Sequence, residues 1–138
     1  MLNALREVTS ETVVITDAAR PLATADMARR ALDQIERCDG AVVAVQVSDT
    51  LKRVEGGVIV ETRDRSGLYR AQTPQAFRTS ALLYAHERAA AEGFEPTDDA
   101  VLLERYGGSV AVVEGSEANI KVTYERDLVI AEALLAAR

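Results

Sequence analysis

Ala41-Val42-Val43-Ala44-Val45-Gln46-Val47 is a nearly unbroken apolar run. A strand with one wet face alternates apolar and polar residues, whereas a strand covered on both faces reads as continuous hydrophobicity. This stretch therefore predicts a buried, parallel-type strand. Upstream, Glu11-Thr12-Val13-Val14-Ile15-Thr16 is rich in β-branched residues and ends in a polar run, a second strand. A helix is expected between them, with Thr24 as N-cap, Asp26 in the first turn and Gly40 at the position just past its end. Ala28, Ala31, Leu32, Ile35 and Cys38 recur at helical spacing and predict its buried face. Strand, helix and buried strand in that order predict a βαβ unit. Ser109-Val110-Ala111-Val112-Val113 predicts a third strand of the same kind.

Beyond Val47 the pattern changes. Leu51 to Val54 and Val58 to Thr62 flank Glu55-Gly56-Gly57, a hairpin signal. Asp64-Arg65-Ser66-Gly67 is a further turn, and Leu68 to Gln72 alternates again. An antiparallel arm over about residues 51–72 is expected, and such an arm has edges that another subunit can cover. Three more helices are predicted: about Pro74 to Ala91, ending near Gly93; Asp98 to Tyr106, capped by Thr97; and Tyr124 to Ala137, capped by Thr123. Asn119-Ile120-Lys121-Val122-Thr123 reads as a short strand before the last helix. The whole predicts one α/β domain over residues 1–138, a sheet with helices on its faces and an arm projecting from it.

Composition narrows the function. The chain has 138 residues, a net charge of −6, 48% hydrophobic and 28% charged residues. One domain is the expected count. A chain of this size buries roughly 68% of its unfolded surface. No apolar run approaches the ~18 residues a membrane span needs. Met1-Leu2-Asn3-Ala4-Leu5-Arg6-Glu7 is not a basic start followed by an apolar block, so no secretory signal is expected. The single cysteine, Cys38, offers no internal disulfide, and no Cys/His cluster suits zinc. A cytoplasmic setting is expected. Negative charge and few aromatics argue against nucleic-acid binding.

Ligands of open α/β sheets bind beyond the carboxyl ends of the strands. There the first strand runs into Thr16-Asp17-Ala18-Ala19-Arg20-Pro21, where Asp17 and Arg20 form either an exposed ion pair or part of a crevice. Ser48-Asp49-Thr50 follows the second strand, and Lys52 and Arg53 follow at once, either a solvated hairpin or donors to a phosphate. Arg65 is ambiguous in the same way. Lys121 either points to solvent by alternation or is a fixed cation beside a helix N-terminus. Thr97-Asp98-Asp99 reads as an N-cap with acidic residues favoured by the helix dipole. His86 reads as structural or exposed. Together these residues suggest a site for a phosphorylated polyol, with Thr and Asp for hydroxyls and Arg and Lys for phosphate.

Asp17-Ala18-Ala19-Arg20-Pro21, Ser48-Asp49-Thr50-Leu51-Lys52-Arg53, Asp64-Arg65-Ser66-Gly67-Leu68, Thr73-Pro74-Gln75-Ala76-Phe77, Thr97-Asp98-Asp99-Ala100 and Val113-Glu114-Gly115 through Asn119-Ile120-Lys121-Val122-Thr123 follow one another in order. In this the chain resembles the C-terminal part of the 2-C-methyl-D-erythritol 4-phosphate cytidylyltransferase family, over essentially its whole length. The resemblance implies a Rossmann-like nucleotidyltransferase sheet and the joining of CMP to methylerythritol phosphate in non-mevalonate isoprenoid synthesis. A phosphate oxygen of the sugar phosphate attacks the α-phosphorus of CTP, magnesium rides on the triphosphate, and diphosphate leaves. Two anions must meet, and like charges about 4 Å apart repel by roughly 4 kcal/mol at an effective dielectric of about 20.

By resemblance, Asp17, Arg20 and Thr50 hold the sugar phosphate, and Thr73 and Thr97 add hydroxyl contacts. Lys121 aligns the attacking phosphate, and Arg65 reaches it from the arm of a partner subunit in a homodimer. No metal site on the protein itself is implied. The family also carries a glycine-rich loop with an Arg and a Lys that cradle the CTP phosphates. Here the first glycine is Gly40, so that loop has no counterpart in these residues, and Met1 to Leu5 resembles a helix that follows it. Thr16 stands where the family has His. The expected activity is therefore the acceptor-binding and dimerisation share of a cytidylyltransferase, with little CTP turnover by this chain alone. The alternatives are a ribitol 5-phosphate-type cytidylyltransferase and a non-catalytic sugar-phosphate-binding or dimerisation module.

Overall fold

Two faces of one sheet carry the core. In the computed structural model, which describes residues 1–137, the central sheet has four strands in the order β1-β5-β2-β6. They are β1 (Thr12–Ile15), β2 (Gly40–Gln46), β5 (Tyr69–Arg78) and β6 (Val110–Glu114). β5 lies antiparallel between β1 and β2, while β2 and β6 pair in parallel. The β1–helix–β2 order is as expected, with β5 inserted between its two strands. Side chains alternate across a strand, and the alternation is visible in what each face packs against. Ala41, Val43, Ala76 and Val113 meet Met27, Ala31 and Ile35 of the α2 layer, α2 being Ala25–Gln34. On the other face, Val42, Ala44 and Phe77 meet Leu5, Leu82, Ala100 and Leu103. These come from α1 (Leu2–Arg6), α3 (Thr79–Glu92) and α4 (Ala100–Arg105). The result is a helix–sheet–helix sandwich around the buried run at Ala41–Val45.

Thr24 caps α2 as expected, its hydroxyl accepting the Met27 N–H at 3.2 Å. Leu32 is exposed rather than buried, and Met27 takes the core position instead. Gly40 does not end α2. It opens β2, where a Cβ would stand 2.8 Å from the Phe77 ring. The glycine thus makes room for the largest fully buried side chain.

The arm is a separate two-stranded sheet of β3 (Leu51–Glu55) and β4 (Val58–Arg63), turning at Gly56 and Gly57, both with positive φ. It ends short of Gln72, because Tyr69 already pairs with Gln46 in the central sheet. The expected helix from Pro74 begins only at Thr79. Residues 74–78 instead extend β5 through a cis Thr73–Pro74 bond and bond to strands on both sides. The helix does end at Gly93, in the left-handed conformation.

Asp99, not Thr97, holds the N-cap position of α4, and the side-chain bond to the first turn comes from Asp98, whose Oδ1 accepts the Val101 N–H at 2.9 Å. The last helix, α5 (Glu125–Ala136), is started by Asp127, whose Oδ2 accepts the Thr123 and Tyr124 N–H groups, each at 2.9 Å. Residues 119–123 form no strand. They are an irregular segment, tied to the loop after β1 by the Val122 N–H to Ala19 carbonyl bond at 2.8 Å. Among the described residues no helix is long and apolar enough to cross a membrane.

Candidate functional site

The site begins where β1 ends. Ile15 pairs with Gln75 of β5, and beyond that pair the two chains diverge. The Asp17 N–H donates to the Thr73 hydroxyl at 2.8 Å, and the Thr16 and Thr73 hydroxyls lie 3.4 Å apart. This bond turns the chain into the Ala18-Ala19-Arg20 segment. Arg20 folds back with 12% of its side chain exposed; its Nη1 donates to the Asn119 carbonyl at 2.7 Å and its Nε lies 3.6 Å from Asp17 Oδ2. Burial pulls the Arg20 guanidinium below its ordinary pKa, and Asp17 partly restores it. Lys121 reaches the same carboxylate, Nζ to Oδ2 at 3.2 Å, with 54% of its side chain exposed.

The walls of this cleft, about 400 Å³, include Asp17, Arg20, Thr73, Thr97 and Lys121. Five of the seven residues expected at the site therefore share one concavity at the carboxyl end of β1. Thr50 and Arg65 are not among its walls. Both are exposed at the root of the arm, Thr50 just before β3 and Arg65 in the turn after β4, where the Leu68 N–H closes onto the Arg65 carbonyl at 3.0 Å.

Two residues that hold the cleft together were not singled out from the sequence. Asn119 is fully buried, and its Nδ2 donates to the Thr73 carbonyl at 2.9 Å and to Gln72 Oε1 at 3.3 Å. Gln72, also buried, donates from Nε2 to the Ser116 carbonyl at 2.9 Å. Gly115 permits that approach, since a Cβ there would lie 2.5 Å from Gln72 Oε1.

Each carboxylate of the cleft already has donors. Asp17 faces Arg20 and Lys121, Asp98 accepts from the first turn of α4, and Asp99 meets His86. Among the described residues no group of three or more His, Cys, Asp or Glu side chains is placed to share a metal. The walls therefore do not fit a resident magnesium ion. What the walls can do is offer ammonium and guanidinium charge to an anion and hydroxyl and carboxylate groups to a polyol. Asp17, with two oxygens and about four lone-pair sites, can accept from both cations and still from a ligand hydroxyl.

The mixed sheet with its flanking helices has the fold of solved nucleotidyltransferases. The solved cytidylyltransferase of Thermus thermophilus superposes with a TM-score of 0.89 at 36% identity, over 98% of this chain and 67% of that one. Residues 1–137 match the sequence pattern of 2-C-methyl-D-erythritol 4-phosphate cytidylyltransferase, and the chain belongs to that family. The enzyme of that name from Aquifex aeolicus is 51% identical over 135 residues, covering 98% of this chain and 63% of the relative. The one from Bacillus licheniformis is 48% identical over 127 residues, 92% of this chain and 55% of the relative. The chain thus spans about six-tenths of the length of the curated relatives it matches.

Proposed function

We propose that the cleft binds 2-C-methyl-D-erythritol 4-phosphate as the acceptor of a cytidylyl group from CTP. The observation that carries this reading is the convergence of Asp17, Arg20, Thr73, Thr97 and Lys121 on one concavity. Asp17, Thr73 and Thr97 take the polyol hydroxyls. Lys121, an exposed point charge, takes the phosphate and offsets its charge, while Arg20 is the fixed cation behind it. A phosphate oxygen of the acceptor then forms a bond to the α-phosphorus of CTP as the bond to the leaving diphosphate breaks. Positioning and charge neutralisation supply the acceleration. Magnesium accompanies the triphosphate.

In this reading Arg65 and Thr50 serve the cleft of a second copy. Their shared place at the arm's root, outside their own cleft, supports a homodimer clasped through the arm. An unpaired Cys38 and the lack of any membrane-crossing helix among the described residues fit a cytoplasmic setting.

Calorimetric titration tests the acceptor reading. Methylerythritol phosphate should bind more tightly than ribitol 5-phosphate. Lys121→Ala should weaken the binding about tenfold, on the order of one charge-assisted hydrogen bond, without lowering the melting temperature. Equal affinity in Lys121→Ala contradicts the role of Lys121, and a preference for ribitol 5-phosphate contradicts the named acceptor.

A further inference from the structure

His86 is the chain's one histidine, and the chemistry proposed above leaves it unused. It lies in the middle of α3, and its Nε2 stands 2.7 Å from Asp99 Oδ1. The side chains are 11% and 16% exposed, so the pair is largely sealed from water. An ionised carboxylate can only accept, so Nε2 carries the hydrogen and donates it. Asp99 occupies the N-cap position of α4 and, with Thr97 and Asp98, forms one wall of the cleft.

Besides the backbone bond from the Leu102 N–H to the Asp99 carbonyl at 3.3 Å, two side-chain bonds fasten that wall. Asp98 ties it forward to the first turn of α4, and Asp99 ties it across to α3 through His86. Behind them the two helices meet through Ala85, Ala89 and Leu102. Such apolar contacts set the spacing of helices but are non-directional. They do not fix how the preceding segment presents Thr97.

We propose that His86 is a positioning residue for the cleft: by donating from Nε2 to Asp99, it fixes the Thr97–Asp99 wall against which the polyol phosphate is held. The inference rests on the acceptor reading of the cleft given above. With the donor removed, the Asp99 carboxylate would be left largely buried without a partner, a costly state. The segment would then lift from α3 to return Asp99 to water, and Thr97 would move with it. Displacements near 1 Å at a binding constellation are enough to lose one to two orders of magnitude in function.

Two substitutions separate positioning from bulk. His86→Gln keeps an N–H donor near the position of Nε2, and His86→Leu fills the space without one. Both variants and the wild type are titrated calorimetrically with 2-C-methyl-D-erythritol 4-phosphate, and amide hydrogen exchange is followed without ligand. His86→Leu should bind about tenfold more weakly, with exchange accelerated at residues 97–101 and unchanged in β1 and β5. His86→Gln should stay within about threefold of wild type and keep residues 97–101 protected.

The inference is overturned if the two variants behave alike, if exchange accelerates throughout the chain, or if affinity and local exchange do not change together. Should the wild type not bind methylerythritol phosphate, the acceptor reading fails on its own. Exchange alone then decides the inference: local loss in His86→Leu that His86→Gln restores supports the fastening, and any other pattern overturns it.

Discussion

Asn119 shows how much of the site rests on single buried groups. Its backbone carbonyl accepts from Arg20, and its side-chain amide donates to the Thr73 carbonyl and the Gln72 side chain, so it links the loop after β1, the middle of β5 and the segment carrying Lys121. Thr73 in turn accepts from Asp17 N–H. The Asn119 side chain thereby fixes Thr73 and Gln72, while its backbone carbonyl holds Arg20. Asn119→Ala leaves the Thr73 carbonyl and Gln72 without that partner in a buried setting, a loss on the order of 2 kcal/mol. Urea unfolding should show this as a lower midpoint with an unchanged slope; a midpoint equal to wild type would show that the network carries no weight. At this scale the sequence was legible where chemistry shows in residue type: Asp17, Arg20, Thr73, Thr97 and Lys121 do meet in space. Gln72 and Asn119 were not, because a buried amide's partners are backbone groups distant in sequence, and nothing in local spacing records them.

Among the elements, those read from continuous apolar runs or from caps stand where expected: β2, β6, the Thr24 start of α2 and the hairpin at Gly56-Gly57. β5 is the instructive failure. Pro74 suits a helix start as readily as a strand, and the choice was made by β1 and β2, which pair with β5 on both sides. Tertiary pairing overrode the local signal, as it did for residues 119–123.

The start of α5 has a pH-dependent fastening. N–H bonds from Thr123 and Tyr124 hold the Asp127 carboxyl below its ordinary pKa. A carboxyl depressed by folding stabilises the folded state above its unfolded pKa, and that contribution fades as pH falls through the folded value. Acidification below about pH 4, the ordinary aspartate value, should therefore fray the first turn of α5. Helical circular dichroism should fall there in the wild type and lose that step in Asp127→Asn; an identical acid profile in the two proteins would contradict this.

Over the whole molecule, the sheet, its two helical layers and the arm serve different ends. The sandwich brings the end of β1, the middle of β5 and the segment before α5 together, and so builds the cleft. The arm leaves the sandwich with its apolar residues in water, Val58 66% and Ile59 59% exposed. A lone two-stranded hairpin is marginal in water, and exposed apolar edges invite pairing. A second copy that covers these residues would also bring Arg65 and Thr50 toward a cleft not their own. The sequence showed that an arm exists through its Gly-Gly turn, but not that it ends at Arg63, since the return strand alternates in the arm and in the sheet alike.

The most direct measurement is an amide NMR titration of the chain with 2-C-methyl-D-erythritol 4-phosphate. The expected shifts group at residues 17–20, 72–75, 97–99 and 119–121 and saturate together, with Arg65 and Thr50 joining them in the proposed dimer. Segments that titrate separately, or shifts that leave those four groups silent, would contradict that expectation.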